Sequence, residues 1–204
     1  MIPLLLMLAA ADAPTKTPVD AERAFAADAK TIGQWTAFRK WSTDDAVMFV
    51  PQPANAHDFL KDRKDPANAI DWWPITSWIS CDGKIAINKG GWTRPDGSVG
   101  YFTTVWQLQA DGRWKWVLDH GDTLKVAPER PTEPAIVKAS CDAMPVFVED
   151  RLTVLGTKNG HGRSPDGTIS WDWAWSKGFR ELDAYLFDGK QLPRVVHDEV
   201  REPK

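Results

Sequence analysis

The stretch that decides the fold is Val99–Asp122, which reads VGYFTTVWQLQADGRWKWVLDHGD. Apolar and polar residues alternate on both sides of an Asp-Gly pair at 111–112, which is the pattern of two antiparallel strands joined by a tight turn. A two-residue turn and a three-residue loop are both compatible with this pair. We predict the three-residue loop, Ala110–Gly112, with Gln109 opposite Arg113, because it separates apolar from polar residues better and a one-residue slip would turn every side chain to the other face.

The predicted register decides which side chains share a face of the hairpin. Trp106 lies opposite Trp116 in this register. His120 is then expected to point into an aromatic concavity, whereas its neighbour Asp119 points outward, because successive side chains of a strand alternate between its faces. The apolar face carries Phe102, Thr104, Trp106, Leu108, Trp114, Trp116, Leu118 and His120.

Length and composition limit the classes of function. The chain has 204 residues, enough for one domain plus an extension. Its net charge is −3, and no basic stripe that could follow a phosphate backbone is present, so nucleic acid is not an expected partner. The sequence contains 12 tryptophans, which indicate either a core built from wide rings or a pocket that stacks flat, apolar ligands.

The N-terminal residues have the pattern of an export signal. Residues 2–11 are apolar, about the length of the apolar region of a signal peptide and too short to span a bilayer as a helix. Small residues at Ala9–Ala11 allow cleavage before Asp12, although no Lys or Arg stands near Met1. We therefore expect a signal peptide over residues 1–11, a periplasmic or secreted protein and no membrane span; the alternative is a buried or irregular start.

Cys81 and Cys141 are the two cysteines of the chain. In an oxidising compartment they are expected to form a disulfide between the main domain and a C-terminal extension, and the alternative is two free thiols. Two cysteines without closely spaced histidines do not make a zinc site. No phosphate-binding loop or nucleophile motif is present either, so we expect neither a metal nor a cofactor.

Helices are predicted first along the chain and strands afterwards. Thr17 is expected to cap a helix that runs to about Lys30, and Thr31 to cap a second one through residues 34–41. We expect the main domain over residues 17–126, a proline-rich linker over 127–135 and a β-rich extension over 136–204. Within that extension, residues 158–165 are glycine-rich and are expected to form a mobile loop, and Ile169–Trp175 alternates as a strand.

A family resemblance is carried by short motifs at Asp44–Val47, Trp73–Pro74, Gly91–Trp92, Gly100–Tyr101, Thr104–Trp106, Asp111–Lys115 and Leu118–Gly121. Together they resemble the nuclear transport factor 2-like superfamily, and more closely its SnoaL-like exported bacterial proteins of unknown function. The resemblance covers roughly residues 18–125. It implies an α+β fold in which N-terminal helices pack on a strongly curved antiparallel sheet that forms a cone around a pocket, here followed by the β-rich extension.

The resemblance also implies a range of functions. Relatives include ketosteroid isomerases, scytalone dehydratases, limonene epoxide hydrolases and polyketide cyclases, while others are binding or assembly modules. The enzymes use an Asp or a His as general acid or base in a mostly apolar pocket, and homodimers formed through the sheet are common. The fold alone therefore cannot select one activity.

From these observations we expect a non-catalytic, exported binding or accessory protein that takes a small apolar or aromatic molecule in an aromatic-lined cone pocket. The alternative is an isomerase, dehydratase or cyclase in which His120 is the general base, since imidazole titrates near neutral pH. The residues expected to bind the ligand are Trp35, Trp78, Phe102, Trp106, Trp116 and His120.

Overall fold

The computed structural model describes residues 15–143, 145 and 157–201 of the chain. The expected signal peptide at 1–11 lies outside these described residues. The fold is mixed α+β, and its helices and strands follow each other as α1 Pro18–Thr31, α2 Gln34–Trp41, β1 Ser42–Phe49, β2 Pro53–Asn55, α3 Ala56–Leu60, β3 Asp71–Ile79, β4 Ile85–Thr93, β5 Val99–Leu108, β6 Trp114–Leu124, β7 Ala135–Lys138, β8 Lys158–Arg163, β9 Ile169–Ser176, β10 Phe179–Leu186 and β11 Arg194–Arg201.

The strands form two sheets. The first has seven strands in the order β2-β1-β6-β5-β4-β3-β7, and the second has four in the order β11-β10-β9-β8. Helices α1 and α2 cover one face of the first sheet, where Phe25 of α1 packs edge-on against Trp72 and Trp106. Wide rings thus fill much of the space between helices and sheet, as the interpretation of the tryptophans as core residues predicted.

The hairpin β5–β6 confirms the predicted loop. The Gln109 N–H donates to the Arg113 carbonyl at 2.8 Å, Gly112 has a φ of +80°, and Trp106 lies opposite Trp116. Beyond that pair the register shifts, because Val105 lies opposite Leu118 and Val117 is an extra residue of β6. Such a β-bulge shifts the pairing by one residue, so each later side chain of β6 lies on the opposite face from that of a regular strand.

The bulge corrects the predicted faces of β6. Thr104 lies opposite Asp119 and Thr103 opposite His120, and residues directly opposite each other in an antiparallel pair share a face. Asp119 therefore lies on the helix-covered face with Trp106, and His120 lies on the other face. The prediction that His120 points inward and Asp119 outward was wrong, because it assumed a regular strand.

The caps of the first two helices differ from each other. The Thr17 hydroxyl accepts a hydrogen bond from the Asp20 N–H at 3.1 Å, as predicted for α1. The predicted Thr31 cap of α2 was wrong, because the Thr31 hydroxyl bonds back to carbonyls of its own helix. Instead, the Asp65 carboxylate reaches α2 from a distant loop and accepts from the N–H groups of Trp35 and Thr36 at 2.5 and 3.0 Å.

The second sheet packs on the face of the first sheet that the helices leave open. Ile87 of β4, Val105 of β5 and Leu118 of β6 belong to one apolar cluster with Ile169 and Leu182 of the second sheet. Among the described residues, both faces of these central strands are therefore covered. A homodimer through the sheet, which the resemblance implies, would therefore need a surface other than these two faces.

The glycine-rich segment expected to be mobile is strand β8. Gly160 lies opposite Trp173 and Gly162 opposite Trp171. A Cβ at either glycine would come within 2.6 or 2.1 Å of the facing indole, so the absence of a side chain is what lets the rings lie on the strand. The glycines therefore mark a close approach within a sheet rather than a loop.

A disulfide and strand β7 connect the two halves of the chain. Cys81 follows β3, Cys141 follows β7, and their sulfurs are bonded. Strand β7 pairs in parallel with β3 as the edge strand of the first sheet. In the part of the chain that the structure describes, no helix is long and apolar enough to cross a membrane.

We expect reduction of this disulfide to lower the free energy of unfolding of the protein. The bond closes a loop of 60 residues, and the loop-entropy relation gives about 4 kcal/mol of unfolding free energy for a loop of that length. Urea unfolding of the oxidised protein and of the Cys81→Ser/Cys141→Ser variant measures the difference. Equal stabilities of the two would contradict a bridged native state.

Candidate functional site

A cavity of about 470 Å³ lies between the helices and the first sheet. Its volume falls within the range of about 300–1,000 Å³ that is usual for small-molecule sites. Rings and aliphatic side chains form most of its wall, and a few charged groups interrupt them. The apolar lining residues are Phe25, Trp35, Phe38, Met48, Phe49, Val50, Pro51, Phe59, Ile70, Trp72, Trp92 and Phe102.

Glu22 is a buried carboxylate on the inner face of α1. It is 1 % exposed, and its side chain accepts hydrogen bonds from the indoles of Trp72 and Trp106 at 2.9 and 2.7 Å and from the Asn88 amide at 3.2 Å. Burial raises the pKa of Glu22 to about 7, even though these hydrogen bonds favour the ionised form. Through these three hydrogen bonds, the Glu22 carboxylate connects α1 to strands β3, β4 and β5.

Asp119 is the second acid on the cavity wall, and the bulge of β6 is what places it there. The Thr104 hydroxyl donates to Asp119 Oδ2 at 3.0 Å. Within the described residues this is the only hydrogen bond of the Asp119 side chain. Burial raises its pKa to about 7. An acid with such a pKa is present in both protonation states near neutral pH, as acid–base catalysis requires.

The two acids differ in how freely they can reach a ligand. Asp119 raises the pKa of Glu22 through like-charge repulsion, so the acids lie in each other's field. Both oxygens of Glu22 are engaged by protein donors, whereas Asp119 leaves Oδ1 without a protein partner in the described structure. Asp119 is therefore the group best placed to bond to a molecule in the cavity.

The residues predicted to bind the ligand separate into two groups. Trp35, Phe102 and His120 belong to the lining of the cavity. Trp106 and Trp116 have no exposed surface, and Trp78 packs between the two sheets, so these three do not line it. Trp106 nevertheless serves the site through its hydrogen bond to Glu22.

His120 lies where the second sheet meets the first. Its imidazole is fully buried, and Nδ1 stands 3.7 Å from Asp198 Oδ2, beyond hydrogen-bond distance. Asp198 instead accepts from the Thr103 hydroxyl at 2.6 Å and pairs with Lys89. Burial lowers the pKa of His120, against the opposing effect of Asp198. The imidazole is therefore neutral near pH 7, and its lowered pKa makes it a weak acceptor of a proton from a molecule in the cavity.

Sequence reasoning missed both acids on the cavity wall, Glu22 and Asp119. Glu22 carried a signal, because it lies three residues from both Val19 and Phe25 and so shares the apolar face of α1. Asp119 carried none that we recognise, because nothing in the alternating residues of β6 marks Val117 as the extra one.

A cluster outside the cavity holds groups of the kind that bind metals. Oxygen and nitrogen atoms of Glu181, Asp183 and His197 lie within 4.8 Å of one another on the second sheet. Arg194 Nη1 already stands 3.2 Å from both oxygens of Asp183, and His197 Nδ1 stands 2.7 Å from Oδ1. The guanidinium occupies the place of a cation, so the cluster is an ion-pair network.

Comparison with protein-family models and with curated proteins gives no match. The solved structures that are similar to part of the chain include the following two. One, from Novosphingobium aromaticivorans, is a protein proposed to be an aromatic ring hydroxylase: it is 17 % identical, with a TM-score of 0.38, over 53 % of this chain and 87 % of its own. The other, from Parabacteroides distasonis, is a protein proposed to be a ketosteroid isomerase: it is 16 % identical, with a TM-score of 0.42, over 56 % of this chain and 94 % of its own. At these identities and TM-scores, neither a family nor an activity of this chain follows from the two structures.

Proposed function

We propose that this protein binds a small, largely apolar molecule in the cavity and that Asp119 exchanges a proton with it. The observation that carries the proposal is the position of Asp119. Its carboxyl group lies on the wall of an apolar cavity, with one protein hydrogen bond and a pKa of about 7. Groups with strongly shifted pKa values in clefts are candidates for acid–base chemistry.

The proposed step uses the ionised form of Asp119. The carboxylate takes a proton from a carbon next to an electron-withdrawing group of the ligand, and the electron pair of that C–H bond moves into the ligand. The protonated Asp119 returns the proton at another carbon, so the result is an isomerisation and no atom is lost. Thr104 keeps the carboxyl group oriented throughout, since its hydroxyl binds Oδ2 and leaves Oδ1 to the ligand.

Binding without chemistry is the second candidate, and one observation favours it. Glu22 has both oxygens engaged by protein donors, which is the arrangement of a structural carboxylate rather than of a second catalytic acid. The cavity would then store or present its ligand. The alternative with His120 as general base has less support, because burial lowers the pKa of its imidazole and so makes it a weak base.

Export, dimerisation and domain boundaries remain proposals. We propose a mature protein that begins at Asp12 outside the cytoplasm, which agrees with the disulfide. N-terminal sequencing of protein from the native host tests it, and a chain that starts at Met1 would contradict it. A homodimer through the sheets is proposed with its contact outside the central strands of the first sheet, since both faces of those strands are covered.

Asp119→Asn is expected to slow proton transfer strongly and to preserve binding. Cyclohex-3-enone is a suitable probe, because its conversion to conjugated cyclohex-2-enone needs one proton removed at C2 and one added at C4. We expect a rate about 10²–10⁴-fold lower in the variant, the usual contribution of a general base. The absorbance of the conjugated product measures the rate, and calorimetric titration with 4-phenylbutan-1-ol measures binding.

The Asp62→Asn variant is the control for that experiment, because Asp62 is an exposed residue outside the cavity. An Asp119→Asn variant as active as the original chain would exclude Asp119 as the base. A chain that binds the alcohol and does not accelerate the isomerisation supports the second candidate.

The stability of the fold is expected to fall as pH rises from about 4 to about 7. The pKa values of Glu22 and Asp119 are about 7 in the folded protein. In this pH interval the folded protein therefore still binds protons at these two groups, whereas the unfolded chain has released them. Each group contributes at most about 1.4 kcal/mol of unfolding free energy per pH unit. Urea unfolding between pH 4 and pH 8 should show a smaller slope for Asp119→Asn and an unchanged slope for Asp62→Asn. Identical slopes for all three proteins would mean that Asp119 titrates normally in the fold.

A further inference from the structure

The cavity has a second polar end, built partly by the second sheet. Arg180 of β10 is 9 % exposed and belongs to the lining. Its Nη2 donates to the Gly121 carbonyl at 2.8 Å and stands 3.6 Å from Asp122 Oδ1, which is an ion pair without a hydrogen bond. Its Nε has no hydrogen-bond partner within the described structure. A buried guanidinium N–H without a partner is rare in proteins and points to a missing acceptor.

Two neighbouring side chains offer further donors at this end. Neither nitrogen of His120 has a hydrogen-bond partner in the described part of the chain, and burial keeps the imidazole neutral with one N–H. Tyr101 also lines the cavity, and burial and the charge of Asp198 raise the pKa of its hydroxyl, which stays protonated. We name Arg180, His120 and Tyr101 the donor end.

The remaining charges of the wall favour an anion. Arg63 and Arg94 line the cavity, where their guanidinium groups stack on Phe59 and Trp92 at 3.7 and 4.4 Å from the ring centres. Neither forms an ion pair with a carboxylate of the described residues. Together with Arg180, three arginines line the cavity. The acidic residues of the lining are Asp122, Glu22 and Asp119, and burial keeps the last two largely protonated below pH 7.

We propose that the ligand is an apolar carboxylic acid whose carboxylate binds at the donor end and whose body extends along the aromatic wall toward Asp119. The inference rests on the proposed function, because it names the class of molecule that the same cavity takes. Arg180 supplies the charge, and its free Nε supplies a hydrogen bond. His120 and Tyr101 supply neutral donors. Asp119 lies outside the donor end, so the proton-exchanging part of the ligand is separate from its carboxylate.

The assignment gives the second sheet a role in the site. Arg180 is one of its residues, so the first sheet and its helices alone would leave the donor end incomplete. It also gives His120 a function other than that of a base, as a donor to the ligand.

The test compares two probes that differ only at one end, 4-phenylbutyrate and 4-phenylbutan-1-ol. Binding to the full-length mature protein is measured by calorimetry at about pH 6, where the carboxylate of the probe is ionised. We expect the carboxylate to bind at least about tenfold more tightly than the alcohol, as hydrogen bonds to a charged group imply. In Arg180→Met this preference should disappear, while the affinity for the alcohol changes less than about threefold.

Two further variants complete the experiment. Arg180→Lys keeps the charge without the fork of N–H groups, and an intermediate preference is expected. Arg201→Met is the matched control, because Arg201 lies on the same sheet, pairs with Glu199 and is outside the cavity. Thermal unfolding of each variant verifies its fold. If Arg180→Met does not fold, the affinities of the two probes for the unaltered chain and for Arg180→Lys still test the carboxylate assignment.

The outcomes separate this inference from the proposed function. Equal affinities of the two probes for the unaltered chain, or a preference that survives in Arg180→Met, would overturn the carboxylate assignment and leave an apolar cavity with Asp119. Absence of binding by either probe would overturn the assignment together with the binding function. A preference lost equally in Arg201→Met would show a general effect of charge and would also overturn it.

Discussion

One extra residue in β6 determines on which face of the first sheet Asp119 and His120 lie. The bulge at Val117 turns Asp119 toward the helices and His120 toward the second sheet. Bulges often redirect a side chain next to a functional site. The cavity thereby gains an acid held by one hydroxyl, and the seam between the sheets gains an imidazole near Asp198. Without the extra residue the two side chains would exchange faces, and both the acid on the wall and the imidazole of the donor end would be lost.

The two buried acids, Glu22 and Asp119, differ in the number of hydrogen bonds that compensate for their burial. Glu22 is compensated by three N–H donors, of which two are indoles, and this network connects the first helix to three strands. The tryptophans thus serve as hydrogen-bond donors as well as apolar mass. Asp119 has little compensation and leaves an oxygen available. We infer that Glu22, whose oxygens are all hydrogen-bonded, has a structural role, and that Asp119, which keeps an oxygen available, has the chemical role.

Local patterns predicted the elements well and the site poorly. The loop at Asp111 and Gly112, the Thr17 cap and the alternating strand at 169–175 depend on residues close in sequence, and the structure has them all. The Asp65 cap of α2 and the bond from Trp106 to Glu22 join residues 30 and 84 positions apart, so they depend on tertiary packing that no local pattern encodes. The glycines of β8 misled for the same reason, since their partners are rings on another strand.

Strand β7 has a consequence for how the protein behaves in a crowded solution. It is the outer strand of the first sheet, and its residues Ile136 and Val137 are exposed, so its free edge is a surface on which another chain could add a strand. The strand is only four residues long and follows directly on Pro134, which cannot donate to a β-ladder. Shortness and proline together limit the length of the β-ladder that another chain could add at this edge.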